Sequence, residues 1–75
     1  MNGQGQDWDD VRLFLAVARA GSLAGAARML GVTHSTVFRR IGAFEARLGA
    51  RLFNRLPSGY ALTAAGAEMR DFVLR

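Results

Sequence analysis

The sequence contains no cysteine and no lysine, and it has a single histidine. The absence of cysteine excludes a disulfide framework and a thiolate metal site, and it is typical of a reducing compartment. Without lysine there is no Gly-Lys-Ser/Thr phosphate-binding loop. One imidazole without a nearby pair of carboxylates predicts no metal site, and no nucleophile has a base and an orienting group beside it. We therefore expect no enzymatic activity and no cofactor.

Long apolar runs are also missing. No stretch approaches the roughly 20 apolar residues of a membrane span. The polar, acidic start MNGQGQDWDD has neither the basic beginning nor the apolar run of a signal peptide. These absences predict a cytoplasmic protein that does not enter a membrane. A chain of 75 residues forms one small domain, whose core is marginal without a partner chain.

Charge is unevenly distributed along the chain. All ten basic residues are arginines, and six of them lie from Arg28 to Arg55 with Glu45 as the only acid, so that this segment carries a net charge of +5. The first ten residues contain three aspartates and no base. A concentrated arginine block indicates a polyanionic partner, with nucleic acid the first choice. The alternative is a solvated arginine-rich surface.

The first predicted helix follows a flexible tail over residues 1–6. Asp7 can cap it, because a carboxylate is favourable at a helix N-terminus, and Gly21 ends it. Its apolar residues recur at helical spacing and form a core-facing stripe. The stripe consists of Trp8, Val11, Phe14 and Val17, flanked by Leu15 and Ala18.

A short helix, a tight turn and a longer helix follow. Ser22 caps the short helix, and Thr33 caps the longer one, which runs to about Leu48. Only Gly31 and Val32 separate the short helix from the Thr33 cap, a spacing typical of a helix-turn-helix unit.

The outer face of the third helix is predicted to be nearly bare. It consists of Ser35, Arg39, Gly42 and Ala46. Gly42 costs about 1 kcal/mol relative to alanine in a helix interior, and a bare face lets the helix lie close against a broad surface such as the major groove. Ser35 can then reach a base edge, and Arg39 can pair with a guanine or a phosphate.

The other sides of the third helix are predicted to face the core and the DNA backbone. Phe38 lies at one shoulder, where it either packs or touches a thymine methyl. Thr36, Arg40 and Arg47 lie on the other flank, where the arginines are expected to meet phosphates. The core face consists of Val37, Ile41, Phe44 and Leu48.

The last part of the chain predicts a hairpin and a fourth helix. The turn Leu56-Pro57-Ser58-Gly59 separates two short extended runs, which form a hairpin over residues 52–62. Thr63 caps the fourth helix, over residues 63–75, which we expect to be cut from a longer one. One face of this helix is apolar and is expected to form a two-fold dimer interface, which implies a pseudo-palindromic DNA site. This dimerisation face consists of Ala65, Met69, Phe72 and Val73.

The segment FLAVARAGSLAGAARMLGVTHSTVFRRIGAFEARLGARLFNR, followed by LTAAG, resembles the N-terminal DNA-binding domain of LysR-type transcriptional regulators. The resemblance covers nearly everything from Trp8 to Phe72. It implies a mainly α winged helix-turn-helix domain over residues 7–62: a three-helix core, a small β-hairpin wing, and then the start of a linker helix that pairs two subunits. It implies that the third helix enters the major groove of double-stranded DNA and that the wing approaches the flanking minor groove.

The resemblance also implies which residues contact DNA. His34 stands where the family often has Gln, and Phe38 stands where it often has Ser. Arg55 has a rival structural role as a partner of Glu45. A small-molecule effector would act only through a domain absent from this chain. The implied DNA-binding residues are Thr33, His34, Ser35, Thr36, Phe38, Arg39 and Arg40 in the third helix, and Arg55, Ser58 and Gly59 in the wing.

Two other functions remain open from the sequence. A winged helix can serve as a protein-assembly module, although that interpretation predicts a depleted basic face. A molybdate-responsive regulator of the ModE kind has a similar N-terminal domain.

Overall fold

The computed structural model describes the backbone of residues 2–75 and the side chains of residues 9–75. Four helices and one two-stranded antiparallel hairpin follow in the order that the sequence predicts, which confirms the mainly α winged helix-turn-helix fold. The elements are α1 (Asn2–Ala20), α2 (Leu23–Leu30), α3 (His34–Leu48), β1 (Phe53–Leu56), β2 (Gly59–Leu62) and α4 (Ala64–Leu74).

Helix α1 begins at Asn2, five residues before the predicted cap. Residues 2–6, for which the sequence predicts a tail, lie in α1, and Met1 lies outside the described residues. No proline interrupts this segment, and extending an existing helix adds one backbone hydrogen bond per residue without a new nucleation step. The predicted capping role of Asp7 and the predicted core role of Trp8 concern side chains outside the described residues.

Local signals determine where the other helices begin and end. The three predicted caps are confirmed, because the side-chain oxygens of Ser22, Thr33 and Thr63 accept hydrogen bonds from backbone N–H groups three residues on, at 3.0, 3.2 and 3.0 Å. Helices α2 and α3 end at Gly31 (φ 69°) and Gly49 (φ 68°), in the left-handed region that a residue without Cβ enters readily. The boundaries of the helix-turn-helix unit are thus specified by its capping residues and by the glycines that end its helices.

The core lies where the first three helices meet, and residues at the start of the hairpin close it. Phe14 is fully buried at its centre, with ring centroids 6.5 Å from Phe44 and 5.4 Å from Phe53. The buried apolar residues are Leu13, Phe14, Ala16, Val17, Leu23, Ala26, Ala27, Val37, Ile41, Phe44, Leu52 and Phe53.

The core face of α3 is shorter than predicted. Val37, Ile41 and Phe44 are buried, whereas Leu48 is 43% exposed. The prediction that Leu48 belongs to the core is therefore wrong. Helical projection gives the direction of a side chain around the axis but not whether another element covers it there. Leu48 is the last residue of α3 and lies beyond the end of the packed layer.

The hairpin forms in the predicted place and is attached to the α1–α2 turn. Leu56 pairs with Gly59 across a two-residue loop. The Tyr60 N–H donates to the Gly21 carbonyl oxygen at 2.9 Å. Gly59 has a φ of 145°, and a Cβ there would overlap the same carbonyl oxygen. This position therefore requires glycine for both its conformation and its close approach.

A second attachment joins the segment before the hairpin to the start of α4. The Thr63 N–H donates to the Leu52 carbonyl oxygen at 3.0 Å, and the Thr63 hydroxyl donates to the Arg51 carbonyl oxygen at 2.6 Å. Gly66 packs so closely that a Cβ would overlap the Leu52 carbonyl oxygen. These contacts orient α4 relative to the domain.

Candidate nucleic-acid interface

Hydroxyl groups cluster at the N-terminal end of α3. The Thr33 hydroxyl accepts from the Thr36 N–H and donates to the Thr36 hydroxyl at 2.8 Å, and it lies 3.4 Å from the Ser35 hydroxyl. Thr33, His34 and Ser35 are exposed, and Thr36 is half-buried. The free N–H groups of a helix N-terminus carry partial positive charge. This end of α3 therefore offers both donors and acceptors to an approaching polyanion.

The outer face of α3 is open, as predicted. Its four residues, Ser35, Arg39, Gly42 and Ala46, are all exposed. A Cβ built on Gly42 would meet no atom within 4 Å. Among the described side chains, Arg39 takes part in none of the ion pairs, so its guanidinium is available to a ligand.

The two arginines on the flank of α3 have a partner that the sequence does not predict. Arg40 lies 3.4 Å from one carboxylate oxygen of Asp10, and Arg47 is hydrogen-bonded to the other. Asp10 is buried, in the interior of α1. The arginine side chains are 36% and 48% exposed. Part of their charge is therefore neutralised within the domain, although both remain accessible to solvent.

Phe38 and Arg55 form a contact between α3 and the hairpin. The Arg55 guanidinium lies over the Phe38 ring, 4.7 Å from its centroid, and Phe38 remains 44% exposed. A guanidinium over an aromatic face is attracted by the ring quadrupole. The rival role of Arg55, pairing with Glu45, is not the arrangement of the structure. The Glu45 carboxylate instead accepts the N–H groups of Leu52 and Phe53, at 2.7 and 3.2 Å.

Ser58 and Gly59 both line the groove beside the hairpin, but they differ in exposure. Ser58 is exposed in the two-residue loop, whereas Gly59 is half-buried against the Gly21 carbonyl. The structure thus gives Gly59 an internal packing role that its position in the turn motif does not reveal.

The predicted DNA-binding residues separate into two groups in space. His34, Phe38, Arg55 and Ser58 line one groove between the start of α3 and the hairpin. Arg40 and Arg47 lie on another side of α3, beside Asp10. The first group shares one surface with the outer face of α3, because Arg39 and Arg55 line a common recess.

That recess contains a residue that is not among those predicted. Arg51 lines it together with Arg39 and Arg55, and Gly42 and Glu45 also contribute. We call it the arginine recess. The clustering of arginines along the chain is the one sequence signal that includes Arg51, but it gives no position in space.

The predicted dimerisation face of α4 is partly covered. Ala65 is exposed and Phe72 is 71% exposed, whereas Met69 and Val73 are half-buried. Met69 packs against the core of the domain. Phe72 is therefore the main apolar side chain that this face presents to solvent.

No metal or membrane site is evident in the described part of the chain. Residues 9–75 contain no group of three or more His, Cys, Asp or Glu side chains that could hold a metal ion. Among the described helices, none is both long enough and apolar enough to cross a membrane.

Comparison with protein families and curated relatives gives consistent matches. The family model described as "Bacterial regulatory helix-turn-helix protein, lysR family" matches residues 8–67. An uncharacterized HTH-type transcriptional regulator of Mycobacterium tuberculosis is 48% identical over 63 residues, which are 84% of this chain and 20% of that protein. The HTH-type transcriptional regulator YofA of Bacillus subtilis is 43% identical over 63 residues, 84% of this chain and 22% of that protein. The chain thus spans about a fifth of the length of these relatives.

Solved structures resemble the chain over most of its length. The crystal structure of the CbnR DBD–DNA complex matches with a TM-score of 0.77 and 37% identity, covering 88% of this chain and 80% of that one. A transcriptional regulator of the LysR family from Eggerthella lenta matches with a TM-score of 0.81 and 33% identity, covering 88% of this chain and 94% of that one.

Proposed function

Because the chain belongs to the lysR family of bacterial regulatory helix-turn-helix proteins, we propose that it binds double-stranded DNA sequence-specifically, as the DNA-binding domain of a transcriptional regulator. One observation carries the proposal: the exposed face of α3, with hydroxyls at its N-terminal end and Arg39 in its middle, lies beside a hairpin that bears Arg55. The relatives are named as transcriptional regulators, and we propose no catalytic role. The family match favours the LysR type over a ModE-like regulator.

In the proposed complex, α3 enters the major groove and the wing, residues 52–62, lies near the flanking minor groove. His34 and Ser35 contact base edges, and Arg39 pairs with a guanine or clamps a phosphate. Thr33 and Thr36 contribute hydroxyls at the same end. These roles are supported by the exposure of the N-terminal end of α3 and by the absence of an ion-pair partner for Arg39 among the described side chains.

Backbone contacts come from several sides of this surface. Arg55, Ser58 and Gly59 are proposed to contact DNA from the wing, and Gly59 also gives the loop its shape. Arg40 and Arg47 stay in the proposal as phosphate contacts, because both side chains are partly exposed. A phosphate there competes with Asp10 for them, so their contribution to affinity is smaller than that of Arg39. Phe38 offers its exposed edge to a thymine methyl.

We also propose how the protein assembles and how it is regulated. Phe72 and Ala65, which are exposed on α4, support a homodimer through this helix, and a two-fold dimer implies a pseudo-palindromic operator. A small-molecule effector would bind a separate domain, in keeping with the small share of the relatives that the chain spans. Because its proposed target is bacterial DNA, we propose a cytoplasmic location.

Fluorescence anisotropy of the domain titrated with labelled duplex DNA tests the proposal. A selection from random duplexes first supplies a preferred sequence, and a scrambled duplex serves as the comparison. Arg39→Ala is expected to weaken binding to the preferred duplex by about 1–3 kcal/mol if the side chain reads a base. If it contacts only phosphate, both duplexes lose affinity equally. Arg12→Ala is the matched control, since Arg12 is exposed on α1 with Asp9 3.8 Å away.

A folded wild-type domain that binds no duplex at low salt, at concentrations that support dimers, excludes the DNA proposal. The function would then move to a protein-assembly module.

A further inference from the structure

The arginine recess lies between the two elements that are proposed to enter DNA grooves. One wall is the outer side of α3, with Arg39 and Gly42, and the other is the hairpin, with Arg55. Adjacent major and minor grooves are separated by a phosphodiester backbone. If α3 occupies one groove and the wing the next, the recess faces that backbone strand.

The charge of the recess suits an anion. Three arginines line it, with Glu45 as the only acid, which gives a net charge of +2. One oxygen of that carboxylate is held by the N–H groups of Leu52 and Phe53. The recess is partly open and has a volume of about 170 Å³, well above the roughly 10–15 Å³ that one water molecule needs in the same measure. It therefore has both the charge and the room for a phosphate group.

Gly42 keeps the α3 side of this recess open. It is exposed within α3, and a Cβ there would meet no atom of the chain within 4 Å. The φ of Gly42 is not positive, so neither conformation nor packing requires glycine at this position. Glycine in a helix interior lowers stability relative to alanine. Because Gly42 has no Cβ, the space that an alanine methyl group would fill stays empty at the edge of the recess.

We propose that the arginine recess is a seat for one phosphate of the DNA backbone, that Arg51 contributes to it, and that Gly42 is required for the phosphate to approach. The inference rests on the proposed DNA-binding function. Guanidinium groups bind phosphate oxygens with two parallel hydrogen bonds. Arg39 lines the recess from α3, Arg55 from the hairpin, and Arg51 from the segment between them. A methyl group at position 42 narrows the seat from the helix side.

The test combines thermal unfolding with DNA titrations of the 75-residue chain at several salt concentrations. Gly42→Ala is expected to raise Tm by about 4–8 °C, because alanine favours the helix. It is expected to weaken DNA binding about tenfold or more, the loss that accompanies one broken charge-assisted hydrogen bond. It should also flatten the slope of log K against log salt by about 0.9, which is one phosphate contact. A stabilised variant that binds less well cannot be explained by misfolding.

Two further variants test the added volume and the lost charge separately. Ala43→Ser adds one heavy atom to the neighbouring exposed position, on the side of α3 that faces Asp10, and is expected to leave affinity and slope unchanged. Arg51→Gln is expected to flatten the slope by about 0.9, whereas Arg12→Gln, with the same change in charge on α1, leaves it unchanged.

Wild-type affinity and slope in Gly42→Ala would overturn the proposal, and so would a weaker affinity with an unchanged slope, since the lost contact would then not be a phosphate. Failure of the wild-type chain to bind any duplex would instead overturn the proposed function itself.

Discussion

Replacing Glu45 with alanine should destabilise the domain, because it removes the acceptor of two backbone hydrogen bonds. One carboxylate oxygen accepts the N–H groups of Leu52 and Phe53, at 2.7 and 3.2 Å, and both of these residues are buried. Each buried donor left without a partner costs about 1–3 kcal/mol. The half-buried position of Glu45 admits some water, so we expect a total loss of about 2–4 kcal/mol. A domain of this size has a free energy of unfolding of only about 4–11 kcal/mol.

Urea denaturation followed by circular dichroism measures this effect. The midpoint should fall at an unchanged m-value, since the surface exposed on unfolding stays the same. Glu45→Gln should cost about 1 kcal/mol, because its amide oxygen still accepts but without the charge that strengthens the bond. Glu68→Ala, on the exposed surface of α4, serves as the control and should stay within about 0.5 kcal/mol of wild type. If Glu45→Ala also stays within that range, water replaces the carboxylate and the reasoning fails.

Three further changes test separate features. Gly59→Ala should lower the free energy of unfolding by about 1–3 kcal/mol, because φ is positive and a Cβ meets the carbonyl of the α1–α2 turn; Ser58→Ala, measured in the same urea titration, should not. Asp10→Asn should lower the free energy of unfolding by about 1–2 kcal/mol, discounted for the partial exposure of its two arginines. It should also strengthen DNA binding in anisotropy titrations at low salt, because the carboxylate no longer competes with phosphate for Arg40; an unchanged affinity would show that this competition does not occur. Phe72→Glu should weaken self-association in sedimentation experiments, because it places a charge in the exposed apolar part of α4, and an unchanged dissociation constant would move the dimer interface elsewhere.

Features specified by neighbouring residues could be predicted from the sequence. The caps Ser22, Thr33 and Thr63 each bond a backbone N–H three residues away, so a pattern of four residues contains the whole interaction. The same holds for the glycine that ends α2 and for the hairpin loop. The exposed face of α3 follows from helical periodicity alone.

Features that depend on the path of the chain could not be predicted in this way. The partners of Asp10 lie 30 and 37 residues away, so no local pattern reveals them. Arg51 belongs to the predicted basic block, but its place in the same recess as Arg39 depends on the course of residues 49–53. The exposure of Leu48 could not be predicted for a different reason: periodicity gives the direction of a side chain around the helix axis but not where along the helix the packed core ends.

The joint between the Leu52 segment and α4 has a geometric consequence. Thr63 and Gly66 fix the start of an 11-residue helix against the domain, and such a helix is about 16 Å long. Each degree of error in its direction displaces the far end by about 0.3 Å over that length. If two copies pair through α4, the direction in which this joint holds α4 determines the angle between the two α3 helices of the dimer. A methyl group at Gly66 would then change which operator spacings the pair can bind, although it lies away from the outer face of α3.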